Sequence, residues 1–534
     1  MYKNKQFILM SSYLGIILFA FILIAYYTGL LTSGFRYFID DNQIFLMNSD
    51  LANQGWFNTV YKWILYDRQV SRFRPYYQLH IVTLTQFLGL NSVLWFLYIT
   101  ILGALTCFFL FLFGRILNFS LPIALLFSLS ILLGSQSELW VRPLIPDAVG
   151  MFFLSLSLFS LSKICRGLSS RTLNRLNQAV FLLSTLMMSL SKESYILFIP
   201  TLAALRVYLP YYFQKQSFRV TIQGSYKTLA VLTLILITQI VYVIFFLGTQ
   251  ATGYAGVDEN SFQLSSLLTT SWQLMDAGFI ILTILAIIIY GIIIYFKKRS
   301  PSTFVQELIP FLVILLVALI PQTVLYAKSG ITAGFYLFPF ITIGCLLLAK
   351  TLSLIEREYR SIAIVFITVL SIVLISRLPS VWTMYYRFAE DSRLMNELLT
   401  QIKICAKPDL PILVVANPKV RFEAVDSLQR VLRTKNHQNL ILAMYGLKDS
   451  EYYSTHLANE EPNWDFLDVS ILSRGYRHQA LSKFTDKKSI QAIIIFDGLE
   501  KDFKRTQNSW FTPENYKSQN FAVSFASSSL YCKR

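Results

Sequence analysis

The sequence predicts an α-helical polytopic membrane protein with about eleven transmembrane helices, followed by a C-terminal α/β domain outside the membrane. Three observations carry this. Hydrophobic residues make up 54% of the 534 residues and charged residues only 14%, against about 25% charge in an ordinary soluble domain. The mean hydropathy is +0.51. Apolar runs long enough to cross a bilayer recur through the first 378 residues, and beyond them the pattern changes to short apolar segments alternating with polar ones.

The runs lie near 7 to 30, 91 to 113, 120 to 136, 144 to 163, 176 to 190, 193 to 209, 227 to 249, 276 to 296, 305 to 326, 331 to 349 and 361 to 378, each close to the roughly 17 to 25 residues that a spanning helix needs. The first follows Lys3 and Lys5 and lacks a small-residue cleavage site, which reads as a retained signal anchor with its amino terminus in the cytoplasm. The loops agree. Arg115, then Lys163, Arg166, Arg171 and Arg175, then Arg206, Lys215, Arg219 and Lys227, then Lys297, Lys298 and Arg299, and then Lys350, Arg357 and Arg360 all fall on the inner side of this topology. The outer loop from 250 to 275 has no Lys or Arg but holds Asp258 and Glu259. The expected location is a multi-pass cell (inner) membrane protein with its C-terminal domain extracytoplasmic. The net charge of +17 is therefore a topology signal and not a nucleic-acid footprint. Five cysteines and four histidines in no ligand spacing exclude a sequence-visible zinc or redox centre.

Within the membrane domain, 1 to 378, residues 31 to 90 form a structured first outer loop. Residues 76 to 89 are apolar but too short to span, so they read as an interfacial helix; His80 on it reads as a packed or snorkelling residue. Residues 42 to 66 set Ile44, Leu51, Trp56, Phe57, Val60, Trp63 and Ile64 among polar residues, as a helix lying flat at the headgroups does. The C-terminal domain, 379 to 534, begins with an amphipathic helix near 383 to 404 and continues through PILVVA (411 to 416), a helix near 420 to 434, NLILAMY (439 to 445), AIIIFD (492 to 497) and FAVSFASSSLYC (521 to 532). Cys405 and Cys532 are its only cysteines, and in an oxidising compartment a disulfide between them is open to test.

Ionisable residues at the ends of apolar helices need partners or a task. On the outer side the topology collects Asp40 and Asp41, Arg72 and Arg74 in SRFRP, Glu138 and Arg142 in SELWVRP, Asp147, Lys192 and Glu193 in SKES, and Lys328. One carboxylate of Asp40 and Asp41, partly desolvated beside a like charge, suits a general base; the plain alternative is a solvated acidic helix end. Arg74 and Arg142 each precede a proline, which breaks the helix and frees the guanidinium to chelate a phosphate; snorkelling at the interface is the alternative. Lys192 and Glu193 sit in a short turn between two apolar runs, where they either bridge one another or bind substrate charge.

The order of these pieces resembles the GT-C class of integral-membrane glycosyltransferases. In particular, the first loop resembles that of the protein O-mannosyltransferases with TPR tails. That family's Asp-Asp pair, later Asn, Gly-x-x-Trp-like stretch, Tyr-Arg-Pro element and Lys-Glu correspond to Asp40 and Asp41, Asn48, Gly55 to Phe57, Phe73 to Pro75, and Lys192 with Glu193. No 34-residue TPR period follows. In GFYLFP (334 to 339), Tyr336 and Pro339 are kept but Phe335 stands where many GT-C enzymes have Arg, with Lys328 a candidate substitute.

The resemblance implies transfer of a monosaccharide, mannose or another hexose, from a polyprenyl-phosphate donor to an extracytoplasmic hydroxyl on a protein, lipid or polysaccharide, with inversion. Asp41 is then the base and Asp40 its orienting partner or replacement. Arg74, Arg142 and Lys192 bind the donor phosphate, with Glu193, Arg72, Glu138 and Tyr336 around them. A divalent cation, Mg or Mn, held by Asp40 and Asp41 is chemically compatible, because an oxygen-only site needs no His or Cys. The partners are the lipid-linked donor, the acceptor and the bilayer; no nucleic acid is expected. The alternative is a transporter or flippase of a lipid-linked or anionic substrate, disfavoured because the charges gather at one surface and the halves show no inverted repeat. A scaffold that presents its outer domain leaves the one-sided charges unexplained.

Overall fold

The computed structural model describes residues 2–36, 41–69, 72–167, 170–247, 263–298, 301–327, 331, 334–444, 465–466, 486–496, 498–507, 510–523 and 526–534. Asp40, Asp258, Glu259 and Lys328 lie outside the described residues. The chain divides into two compact units: Met1–Ala25, Trp56–Leu84 and Trp95–Met384 form the first, and Tyr26–Gly55, Thr85–Leu94 and Tyr385–Arg534 the second. The first loop thus contributes to both.

The first unit is a helical bundle. Among the described residues of the chain, eight helices are long and apolar enough to cross a membrane, and two further bent pairs bring the number to ten. The bent pairs are Leu121–Leu132 with Ser135–Val141, at 76°, and Leu264–Ala277 with Ile280–Phe296, at 67°. The remaining apolar run, 176 to 190, lies in the helix Arg171–Ser189. Its opening turns carry Arg171, Asn174, Arg175, Asn177 and Gln178, so it is less apolar than the others. It returns along Pro146–Arg166, and Ser157 and Ser184 hydrogen-bond across the pair at 2.7 Å. Such hydroxyl bonds hold helices together where lipid offers no hydrophobic drive. The helix Phe338–Glu358 is the hub: the span that contains it is 94% buried, whereas Phe218–Phe246 is 11% buried and turns its side chains outward.

The first-loop helix Asn42–Gln69 is broken at Gly55, whose φ of 75° and ψ of 172° only glycine adopts readily. Beyond the break Trp56, Phe57 and Tyr61 are exposed, while Val60 and Trp63 are buried. Pro75 opens the 14-residue helix Pro75–Leu88, too short to span.

The last apolar run and the amphipathic segment after it are one continuous helix, Arg360–Cys405. In the second unit a six-stranded sheet follows: β1 (Ile412–Ala416), β2 (Leu440–Met444), β3 (Asp465–Phe466), β4 (Ala492–Phe496), β5 (Tyr516–Val523) and β6 (Ala526–Lys533), in the order β3-β2-β1-β4-β6-β5. The first four are parallel, and β6 runs antiparallel to both β4 and β5. The helix Pro418–Thr434 makes the crossover from β1 to β2. β1 and β4 are buried throughout, as central parallel strands covered on both faces are, and hence read as unbroken apolar runs. The run 521 to 532 holds parts of two strands, and it contains no Gly, Pro, Asn or Asp that would mark a break between them in the sequence. Cys405 and Cys532 form a disulfide with Cα atoms 5.3 Å apart, joining the end of the long helix to β6.

Candidate functional site

In the first unit, a segment without regular structure, Arg72 to Arg74, wraps around Asp67 near the end of the first-loop helix. The Arg72 N–H donates to the Asp67 carbonyl at 2.8 Å, the Arg74 guanidinium pairs with the Asp67 carboxylate, and the Gln78 amide donates to its other oxygen at 2.6 Å. Proline fixes this local shape: the residue before Pro75 is driven out of the helical region, so Arg74 stays outside the helix that starts at once with Pro75.

The same segment is sewn to the turn between Arg171–Ser189 and Glu193–Ile196. The Tyr76 N–H donates to the Leu190 carbonyl at 3.1 Å, and the Phe73 N–H donates to the Glu193 carboxylate. Lys192 and Glu193 therefore do not bridge each other. Adjacent residues at a helix start point in different directions: Glu193 turns to Phe73, and Lys192 places its ammonium 2.7 and 2.9 Å from the two carboxylate oxygens of Asp147. Asp147 lies in the first turn of Pro146–Arg166, where the helix dipole favours an anion. Tyr195 donates its hydroxyl to the Asp147 carbonyl at 3.0 Å. Its ring lies where a side chain at position 150 would stand, 2.6 Å from a Cβ there, so Gly150 makes room for it.

A third segment completes the site. The short helical turn Gly334–Leu337 approaches Ser135–Val141 so closely that a Cβ on Gly334 would lie 2.7 Å from the Ser135 backbone. The turn sets Tyr336 with its ring centre 3.9 Å from the Lys192 ammonium and stacks it on Tyr326 at 5.5 Å. Phe335 faces two cations, 5.7 Å from the Lys192 ammonium and 5.8 Å from the Arg142 guanidinium. Arg142 pairs with Glu138 one turn earlier. Cations over ring faces are attracted by the aromatic quadrupole.

Arg74, Asp67, Lys192, Asp147 and Glu193 therefore form one electrostatic cluster. Although burial opposes its charge, the Asp67 and Glu193 carboxylates raise the affinity of the Arg74 guanidinium for its proton. Glu193 acts on both Arg74 and Lys192. Each cation keeps an edge toward the surface, the side chains being 13% exposed for Arg74, 16% for Lys192 and 18% for Arg142. The three cations expected to face a phosphate are thus each paired with a carboxylate. Arg72 is exposed, and the hydrogen bond described for it comes from its backbone.

Asp41 belongs to the second unit. It is buried at 4% exposure and accepts a hydrogen bond from the Arg36 N–H at 3.0 Å. Among the described residues no group of three or more His, Cys, Asp or Glu side chains is arranged to hold a metal ion.

Sequence reasoning passed over Asp67 and gave Asp147 no role, although both are buried acids beside cations. The signal for Asp147 is its place four residues after the Arg142-Pro143 break and just inside an apolar helix. Asp67 had none beyond its seven-residue distance from Arg74.

No protein-family model matches the chain, and no curated protein does. Solved structures similar to it include ArnT from Cupriavidus metallidurans bound to undecaprenyl phosphate, with a TM-score of 0.46 at 12% identity over 96% of this chain and 97% of that one. The same protein in the apo state has a TM-score of 0.42 at 12% identity, over 99% of this chain and 98% of the other. At these values the likeness assigns neither a residue nor a substrate.

Proposed function

We propose that the protein is a membrane glycosyltransferase that moves a monosaccharide from a polyprenyl-phosphate donor to a hydroxyl acceptor outside the cytoplasm. The observation that carries this reading is the meeting of Arg74 with Lys192, from distant stretches of chain, in one aromatic-edged cluster at the ends of apolar helices. A donor with a long lipid tail stays in the bilayer, and its phosphate lies at the level where such helices end.

The acceptor oxygen attacks the anomeric carbon, and the bond from that carbon to the phosphate oxygen breaks. The electron pair leaves with the polyprenyl phosphate, and the hydroxyl proton passes to Asp41. Arg74, Lys192 and Arg142 stabilise charge on the departing phosphate. Because each already holds a carboxylate, the phosphate competes for donors on a preformed scaffold, which keeps the cations in place before substrate arrives. One displacement inverts the anomeric centre. The sugar is a hexose in this reading, with the acceptor a protein, lipid or polysaccharide, and Asp40 either orients Asp41 or shares its role.

The test is incubation of purified protein with labelled polyprenyl-phosphate monosaccharides, comparing wild type with Asp41→Asn and Lys192→Ala, with and without a chelator of divalent cations. Asp41→Asn is expected to lose about 10²- to 10⁴-fold in turnover. Equal turnover in all three proteins refutes the assignment, and export of intact lipid-linked sugar without transfer supports transport instead.

A further inference from the structure

In the second unit, Gly34 to Arg36, which follow the helix Tyr2–Tyr27, have no regular secondary structure. Their backbone groups need partners from elsewhere. The Asn396 amide, on the helix Arg360–Cys405, supplies them: it donates to the Ser33 carbonyl at 3.2 Å and to the Phe35 carbonyl at 3.1 Å. Gly34, at φ 78°, permits that approach, since a Cβ there would stand 2.7 Å from the amide nitrogen. About two turns earlier on the same helix, Phe388 lies 4.2 Å beneath the Arg36 guanidinium, which is 3.9 Å from the Asp391 carboxylate. Arg36 in turn gives its N–H to Asp41. On the far side of Asp41, the Asn42 amide donates to the Ser427 hydroxyl, on Pro418–Thr434, at 2.8 Å. Arg36, Asp41, Asn42, Asp391 and Ser427 are all buried. The helix is fixed to the sheet by the Cys405–Cys532 disulfide and by Gln519, which donates to Glu397 at 2.8 Å.

We propose that the α/β domain and the helix leading into it are a positioning device for Asp41, with Asn396, Asp391 and Ser427 as positioning residues. The domain's task is then to hold a base in register and not to select the acceptor. This rests on the reading of Asp41 as the base. A base acts only within hydrogen-bond reach of its proton, and a misplacement of about 1 Å costs on the order of 10²-fold in rate. Buried residues such as Phe35, Arg36, Asp41 and Asn42, flanked by contacts to two helices, meet that tolerance; without those contacts they do not.

The experiment uses the full chain in lipid nanodiscs and two readouts: amide hydrogen exchange over residues 33 to 36 and 41 to 44, and kcat and KM for a labelled polyprenyl-phosphate hexose. The variants are Asn396→Leu, Ser427→Ala and the conservative Ser427→Thr, with Arg505→Ala as a remote control on an exposed helix. Asn396→Leu and Ser427→Ala are expected to speed exchange by about tenfold or more, since buried groups lose their partners. They are also expected to lower kcat by roughly 10- to 100-fold with donor KM within about twofold, and Ser427→Thr is expected to restore both readouts. Unchanged exchange overturns the clamp. Faster exchange with unchanged kcat, or with a raised acceptor KM alone, overturns positioning and returns the domain to acceptor binding. If Asn396→Leu does not fold, the two Ser427 variants decide. A wild-type protein inactive with every lipid-linked sugar removes the glycosyl-transfer reading, and the exchange arm then decides by itself whether the clamp exists.

Discussion

The Lys192–Asp147 pair separates structure from chemistry. Its atoms stand 2.7 and 2.9 Å apart, and the Asp147 side chain is only 2% exposed. Removing one partner of such a pair strands a charge away from water and typically costs about 3–5 kcal/mol, whereas replacing both by apolar residues of similar size is close to neutral. Lys192→Met and Asp147→Leu are each expected to destabilise by about 3 kcal/mol or more, roughly a hundredfold in the folded-to-unfolded ratio. The double variant is expected within about 1 kcal/mol of wild type, a coupling of several kcal/mol. Reversible unfolding of the protein in mixed micelles, titrated with SDS, measures all four corners. A single variant that costs under about 1 kcal/mol, or a double variant equal to the sum of the singles, refutes the reasoning. Donor turnover on the same four proteins completes the test. If Lys192 binds phosphate, the double variant is stable yet inactive; if the pair only holds helices together, the double variant recovers activity.

Gly334→Ala is expected to push the turn that carries Phe335 and Tyr336 away from Ser135, because the new Cβ meets the Ser135 carbonyl carbon and Cβ, each at 2.7 Å, as well as its hydroxyl, and rotating the hydroxyl away relieves only one of the three contacts. A cost of about 1–3 kcal/mol and a weaker donor KM, read by thermal melting and kinetics, check it. His80 hydrogen-bonds Tyr98 at 2.6 Å, and burial lowers its pKa to about 4 from an unfolded value near 6.5. A depressed histidine is neutral when folded, so its contribution is complete above pH 6.5 and is lost as pH falls from there toward 4, by up to about 3 kcal/mol. His80→Gln is expected to flatten stability over that window, and an unchanged pH profile contradicts the assignment. Cys405→Ser with Cys532→Ser opens a link between residues 127 apart, which on chain entropy is worth up to about 5 kcal/mol; a melting transition of the α/β domain unmoved by the change argues against it.

Much of the architecture was legible because it follows from one-dimensional quantities. A bilayer demands a fixed apolar length, which gave the helices from Ser92–Ile116 to Gly334–Glu358 almost run by run. Strands buried on both faces read as continuous apolar runs, which gave β1, β2 and β4. The hairpin β5–β6 was hidden in a single run without turn residues, and the helix Arg360–Cys405 looked like two elements because its composition changes partway while its backbone does not.

The sequence by itself determined that Arg74 precedes a helix start, that Lys192 and Glu193 occupy a turn between apolar helices, and that Phe335 takes a place where a related pattern has Arg. Only the tertiary structure decided which charges meet: Lys192 goes to Asp147 and Glu193 to the Phe73 N–H, and Phe335 lies against two cations. The physical reason is range. Apolar length and proline geometry act within a few residues and leave a mark on local composition. An ion pair or a ring over an ammonium depends on the packing of helices far apart in the chain, and a carboxylate such as Asp67 looks the same in sequence whether it faces water or a guanidinium.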